Sequence, residues 1–195
     1  PVYFRSASKP FQAIPIFMTN LIDSLDLTTT ESALFIASQR GEDYHQQALV
    51  SLLRKLPIKE TALICAESYP LNEGPKTEYI RQGQPKRKIL HNCAGKHLGF
   101  LTACIANGFN LDDYCDPNHP LQLLIKKIIA YLSEYEEGKI RIGIDGCGAP
   151  VFAIPLKHMA VAYLKLARPE LIDDAGIRKA VIKLTAIMNK ESKII

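Results

Sequence analysis

The sequence predicts a helix-rich α/β fold of the α+β kind, and three observations carry that prediction. Apolar residues recur at a period near 3.6 over several long stretches, as in amphipathic helices. One stretch, Ile140 to Ile144, changes to period two, as a half-buried strand does. The glycine turn Asp145-Gly146-Cys147-Gly148 follows at once and leads into a second short apolar run, Val151 to Leu156. The chain has 195 residues, of which 47% are hydrophobic, enough to bury a core. No internal repeat, low-complexity tract or long linker divides it, so one domain over 1–195 is expected.

The elements follow in order. A first helix should open near Ser6, with Pro10 in its first turn, where a missing N–H costs little. Thr28 and Glu31 have capping-box spacing, and their helix should run towards Ser38. Leu49, Leu52, Leu53 and Leu56 give the next helix a buried stripe. The segment from Gly95 to Asn107 reads as a helix that Gly108 ends. Pro120 opens the clearest helix, in which Leu121, Leu124, Ile125, Ile128, Ile129 and Leu132 share a face and Gly138 is placed to close the segment. Beyond the strand pair come two amphipathic helices, one with Leu156, Met159 and Leu164 inward, the other with Ile177, Val181, Leu184 and Met188.

Composition excludes several function classes. A net charge of +4 is mild, and the only basic cluster, Lys86-Arg87-Lys88, has no interleaved aromatics. A nucleic-acid footprint needs a denser basic stripe, so the cluster reads as a solvated loop and no nucleic-acid partner is expected. No apolar run approaches the ~20 residues of a membrane-spanning helix, and the first residues lack the order of a signal peptide. The five cysteines, Cys65, Cys93, Cys104, Cys115 and Cys147, are odd in number and far apart. That argues for reduced or metal-bound thiols and hence a cytoplasmic location.

Two kinds of residue could carry chemistry. Ser6 and Lys9 lie three apart at an expected helix start, where i and i+3 share a face. A serine needs a base to attack an amide carbonyl, and a lysine serves only when its pKa is lowered. Arg5 next door and the helix N-terminus supply positive potential. Taken alone, the spacing reads more readily as a capping serine and a surface lysine. The segment His91-Asn92-Cys93-Ala94-Gly95-Lys96-His97 is dense in metal-capable side chains, and Gly143-Ile144-Asp145-Gly146-Cys147-Gly148 presents a second thiol in a glycine turn. Two isolated cysteines are a poor zinc signal beside a closed four-ligand set, and each alone reads as a buried thiol.

Taken together, these segments resemble the bacterial L-asparaginase II family. The resemblance rests on Arg5-Ser6-x-x-Lys9-Pro10-x-Gln12-Ala13, on Ala37-Ser38 with Gly41-Glu42 and His45, and on His91-Asn92-Cys93-x-Gly95-Lys96-His97. Asp116-Pro117-x-His119-Pro120 with Gln122, and Asp145-Gly146-Cys147-Gly148-x-Pro150, complete the series. It implies hydrolysis of L-asparagine to L-aspartate and ammonia, in a fold related to the serine β-lactamases and penicillin-binding proteins, whose nucleophile lies in an S-x-x-K motif. By the family pattern Ser6 is the nucleophile, Lys9 its base and Ser38 a second active-site serine. Arg5, Asp145 and His97 are implied in substrate binding, and Cys93, Lys96 and Cys147 match zinc-binding positions. A homodimer is implied as well.

The sequence departs from the family pattern at Gln39, where histidine is common, and at Ala94, where serine is common. The resemblance also implies a family domain that runs past both ends of these residues. It places the lysine partner of Ser38 and several sheet strands in a C-terminal part, so an incomplete central sheet and weak activity of this stretch alone are expected. Three other readings fit the same residues: a serine amidase with another amide or β-lactam substrate, a zinc- or redox-responsive binding protein, and an inert fragment.

Overall fold

Helix α1 (Lys9–Phe17) forms the centre of the molecule, and all nine of its residues are buried. A helix apolar on every side must be enclosed on every side, and α1 is packed by three later helices. In chain order, the computed structural model, which describes residues 1–195, runs from strand β1 (Val2–Tyr3) through α1 to α2 (Leu21–Ser24), α3 (Thr29–Ala33), α4 (Asp43–Lys55) and α5 (Glu73–Arg81). It continues with α6 (Ala94–Asn107), α7 (Pro120–Ser133), β2 (Arg141–Ile144), β3 (Pro150–Ile154), α8 (Leu156–Ala167) and α9 (Ala175–Lys190). Helices α6, α7 and α9 surround α1, and α8 packs on α7 and α9. The sheet has three antiparallel strands in the order β1-β3-β2, with Val2 opposite Ile154 and Ile142 opposite Phe152. This is the helix-rich α+β arrangement expected. No helix is long and apolar enough to cross a membrane.

The strongest local expectations hold for identifiable reasons. Thr28 and Glu31 make both bonds of the capping box. Helix α6 ends in Gly108 at φ 66°, where Phe109 N–H donates to Cys104 O and Gly108 N–H to Ile105 O, the pair of bonds that a left-handed residue allows. The glycine turn joins β2 to β3, Asp145 N–H donating to Ala149 O and Gly148 N–H to Asp145 O.

Four details differ. Helix α3 stops at Ala33, short of Ser38, because the first turn of α6 lies against it there: a Cβ on Gly95 would stand 2.1 Å from Leu34 O. Helix α7 ends at Ser133 with Glu134 left-handed at φ 52°, and Gly138 falls in a later turn. Tyr135 N–H donates to Ala130 O and Glu134 N–H to Tyr131 O, the same cap as in α6 built on a non-glycine residue. The Lys165 ammonium, 2.8 Å from the Glu134 carboxylate, helps offset the cost of that conformation, roughly 1–2 kcal/mol. In α8 the buried face is Met159, Ala162 and Leu166, while Leu156 and Leu164 point outward. Two apolar stripes compete on that helix, and the one carrying the small Ala162 lets its neighbours approach. The alternation of the first strand fades as well: Ile144, 61% exposed at the end of an edge strand, faces solvent. The basic cluster is exposed but tethered, Arg87 pairing with Glu60 and Lys88 Nζ donating to Leu63 O at 2.6 Å. Strand β1 and helices α2 and α5 carry no pattern that sequence periodicity detects.

Glu31 ties the α3 entry to α4. Burial alone would raise its pKa, but hydrogen bonds from Ser51, Lys55 and the Thr28 N–H hold it below the usual 4.5. A carboxyl so lowered stabilises the fold above that value and loses its contribution as pH falls below it. Glu31→Gln should therefore cost about 1–3 kcal/mol at neutral pH. Denaturation followed between about pH 6 and pH 3 should show the variant losing less stability on acidification than the parent.

Candidate functional site

Four separate segments converge on one buried amine. Lys9 opens α1, Ala37-Ser38 follows α3, Cys93 and Lys96 occupy the first turn of α6, and Cys147 sits in the β2–β3 turn. Lys9 Nζ donates to Ala37 O at 2.7 Å and to Ser38 Oγ at 2.8 Å. Lysine 9 is 1% exposed, and burial pulls its pKa down to about 8, with the Cys93 and Cys147 sulfurs opposing that shift and Lys96 adding to it. The contact expected between Lys9 and Ser6 is thus replaced by one with Ser38. The second serine, expected to need a lysine from elsewhere, has Lys9 as its partner.

The thiols form a coupled pair. Hydrogen bonding from Cys147, with further help from Lys9 and Lys96, lowers the Cys93 pKa to about 6 against the opposing effect of burial. The same bond and burial raise that of Cys147. Lys96 Nζ lies 3.2 Å from Cys147 Sγ. By contrast, burial pushes Cys65, Cys104 and Cys115 up to about 12. All five cysteines are free.

The fit to a metal is specific in its donor types. No group of three or more His, Cys, Asp or Glu side chains converges to hold an ion. The cluster that does converge is Cys93, Cys147 and Lys96, two sulfurs and an amine. One sulfur is already disposed to ionise, which suits a borderline-soft cation. The Lys96 amine, 3.2 Å from Cys147 Sγ, would be the nitrogen donor beside the two sulfurs for a metal held there.

Ser6 and Arg5 lie on the short 3₁₀ turn Arg5–Ser8, on the solvent side. Arg5 is left-handed at φ 50°, and its guanidinium makes a 2.9 Å ion pair with Asp145, which also accepts the Gly146 N–H. The two line an open pocket of about 260 Å³ with Tyr3, Gly143, Ile144, Gly146 and Val151. A paired guanidinium and carboxylate can exchange each other for the carboxylate and ammonium of an amino acid. Another pocket, between the end of α1 and the start of α9, lies away from this chemistry. His97 is fully buried beneath the cysteines and borders no part of the pocket. Its Nδ1 lies 2.7 Å from the Tyr114 hydroxyl, and its Nε2 has no hydrogen-bond partner.

Several motif residues turn out to be scaffolding. Gln39 donates to Leu90 O and His91 O and accepts the Gly41 N–H, tying the Ser38 loop to the cysteine motif. His91 Nδ1 accepts the Cys93 N–H. His119 caps α7 by accepting the Leu121 N–H, and Gln122 donates to Tyr114 O. His45 Nε2 lies 3.1 Å from Ile194 O, so the last residues are docked. Gln39 and Tyr114 had no part in the site read from sequence; the only signal for Gln39 was its departure from the family pattern.

A family model described as L-asparaginase II matches residues 1–195, the entire chain. No curated protein matches it.

Gly95 sets how closely the cysteine motif approaches the serine loop. Gly95→Ala should therefore cost about 3 kcal/mol or more, because the obstruction is backbone carbonyl and cannot swing aside. Gly74→Ala, whose added methyl meets nothing, should be neutral or slightly stabilising. Denaturant titration of the two variants side by side tests the difference.

Proposed function

The chain belongs to the L-asparaginase II family, and from that premise we propose that it hydrolyses the side-chain amide of L-asparagine to L-aspartate and ammonia. The observation that carries this reading is the hydrogen bond from the buried Lys9 amine to Ser38 Oγ beside the Cys93–Cys147 pair. An amine with a lowered pKa next to a hydroxyl is what serine-based amide hydrolysis requires. Related serine β-lactamases and penicillin-binding proteins supply the analogy for the fold, and a cytoplasmic homodimer is part of the same reading.

In this reading Ser6 Oγ attacks the amide carbon and Lys9 takes up the hydroxyl proton. That proton passes to the departing nitrogen as the C–N bond breaks, and ammonia leaves. Water then attacks the acyl-enzyme carbonyl while Lys9 takes its proton and passes it to Ser6 Oγ; the acyl C–Oγ bond breaks, Ser6 is restored, and aspartate leaves with the water oxygen in its new carboxylate. Asp145 would hold the substrate ammonium and Arg5 its α-carboxylate, each releasing the other to do so. Cys93, Lys96 and Cys147 would hold zinc, which when bound supplies Lewis-acid polarisation of the amide carbonyl. Lys96 ligates only as a neutral amine, so metal uptake releases protons.

The direct Lys9–Ser38 bond favours a second reading in which Ser38 attacks and Ser6 assists. Kinetics separate the two. In the first, Ser6→Ala should lower kcat by about a thousandfold or more and Ser38→Ala by less; the second reverses the order. Turnover kept above a tenth of the parent value in both variants, or no ammonia release from asparagine by the parent, defeats the assignment.

The metal reading has its own check. Cys147→Ser should weaken zinc binding strongly, because a thiolate is the far better ligand, while Cys104→Ser on the buried face of α6 should not. Competition with a chromogenic chelator measures both, and equal affinities would remove the site.

A further inference from the structure

The turn that carries Ser6 is short, begins with a left-handed non-glycine residue and lies at the surface. Its backbone acceptors are nonetheless all occupied. Phe4 O accepts the Ala7 N–H, Arg5 O accepts the Ser8 hydroxyl at 2.7 Å, and Ser6 O accepts the Lys9 N–H. Those three bonds are local and move with the turn. Ala7 O is different, because it accepts the hydroxyl of Tyr163, which reaches from α8 across 156 residues of sequence.

The ring of Tyr163 is held as well as its hydroxyl. It packs edge-on against Phe11 of α1, with ring centroids 5.1 Å apart at 85°, and Phe11 in turn meets Phe4 at 5.6 Å. Phe4 N–H donates to Phe152 O of β3. The Ser6 turn is therefore pinned to the sheet on one side and to α8 on the other, with Phe11 between them. The ring stack fixes where the phenol oxygen lies, and the phenol fixes the carbonyl next after Ser6.

We propose that Tyr163 is a positioning residue for the Ser6 hydroxyl, acting through the Ala7 carbonyl. The proposal rests on the reading of Ser6 as nucleophile and adds a residue to it. Misplacing a reacting group by about 1 Å can cost about a hundredfold in rate, and a strained turn keeps its geometry only where its surroundings over-determine it. Arg5 lies in the same turn but keeps its own tether to Asp145, so the effect should fall on kcat more than on KM.

Tyr163→Phe in the full chain removes the hydroxyl and leaves the ring stack. The expected result is a kcat lowered about tenfold or more, with KM within about twofold and the thermal midpoint within about 2 °C of the parent. Amide hydrogen exchange in the peptide spanning residues 4–9 should quicken about tenfold, while that of α9 stays unchanged. A kcat within twofold of the parent overturns the proposal, as does unchanged exchange in residues 4–9. So does a loss of activity accompanied by faster exchange throughout the molecule, which would make Tyr163 a general stabiliser. Ser6→Ala measured in parallel keeps the two ideas apart, because turnover retained there counts against Ser6 as nucleophile, while the exchange measurement still decides whether the tether holds.

Discussion

The burial of one lysine organises this molecule. Lys9 belongs to a helix enclosed on all sides, and its amine must find acceptors where there is no water. It finds a carbonyl and a hydroxyl on the segment after α3, and that requirement fixes where the segment lies. The regular helix of that segment ends at Ala33, where α6 lies against Leu34 through Gly95. The same close approach brings Cys93 and Lys96 to the amine. Once α1, the serine loop and α6 are joined, the hairpin turn with Cys147 closes the fourth side.

The charges around Lys9 are mutually dependent. A cation in a dry setting lowers the pKa of a nearby thiol, and the resulting thiolate steadies the cation. Removing either leaves a group with no compensation. The hydrogen bond between Cys93 and Cys147 moves their pKa values in opposite directions, and the two lysines add to the lowering at Cys93, whereas the three remaining thiols are raised chiefly by burial.

Much of the fold was legible in the sequence where one local rule dominates. The Thr28–Glu31 box, the Gly108 cap, the Pro120 start and the glycine turn each need only neighbours within a few residues. Failures arose where distant packing decided. Glu134 holds a conformation that glycine normally takes, and its partner there, Lys165, comes from another helix. Leu156 and Leu164 face solvent because the fold uses the stripe with the smaller residue. The site divides in the same way. Motif resemblance picked out Lys9, Ser38, Cys93, Lys96 and Cys147, which converge. It could not tell that Lys9 would bond Ser38 and not Ser6, since the i, i+3 rule concerns an isolated helix and the residues before Lys9 form a tighter 3₁₀ turn.

The uneven thiols have a practical meaning for anyone handling the molecule. Burial raises the pKa of three sulfurs, the bond to Cys93 raises that of Cys147, and Cys93 alone is lowered. An alkylating reagent small enough to enter would find Cys93 the sulfur most disposed to ionise and so to react. A chain with five cysteines would then carry one label, beside the amine around which the fold is built.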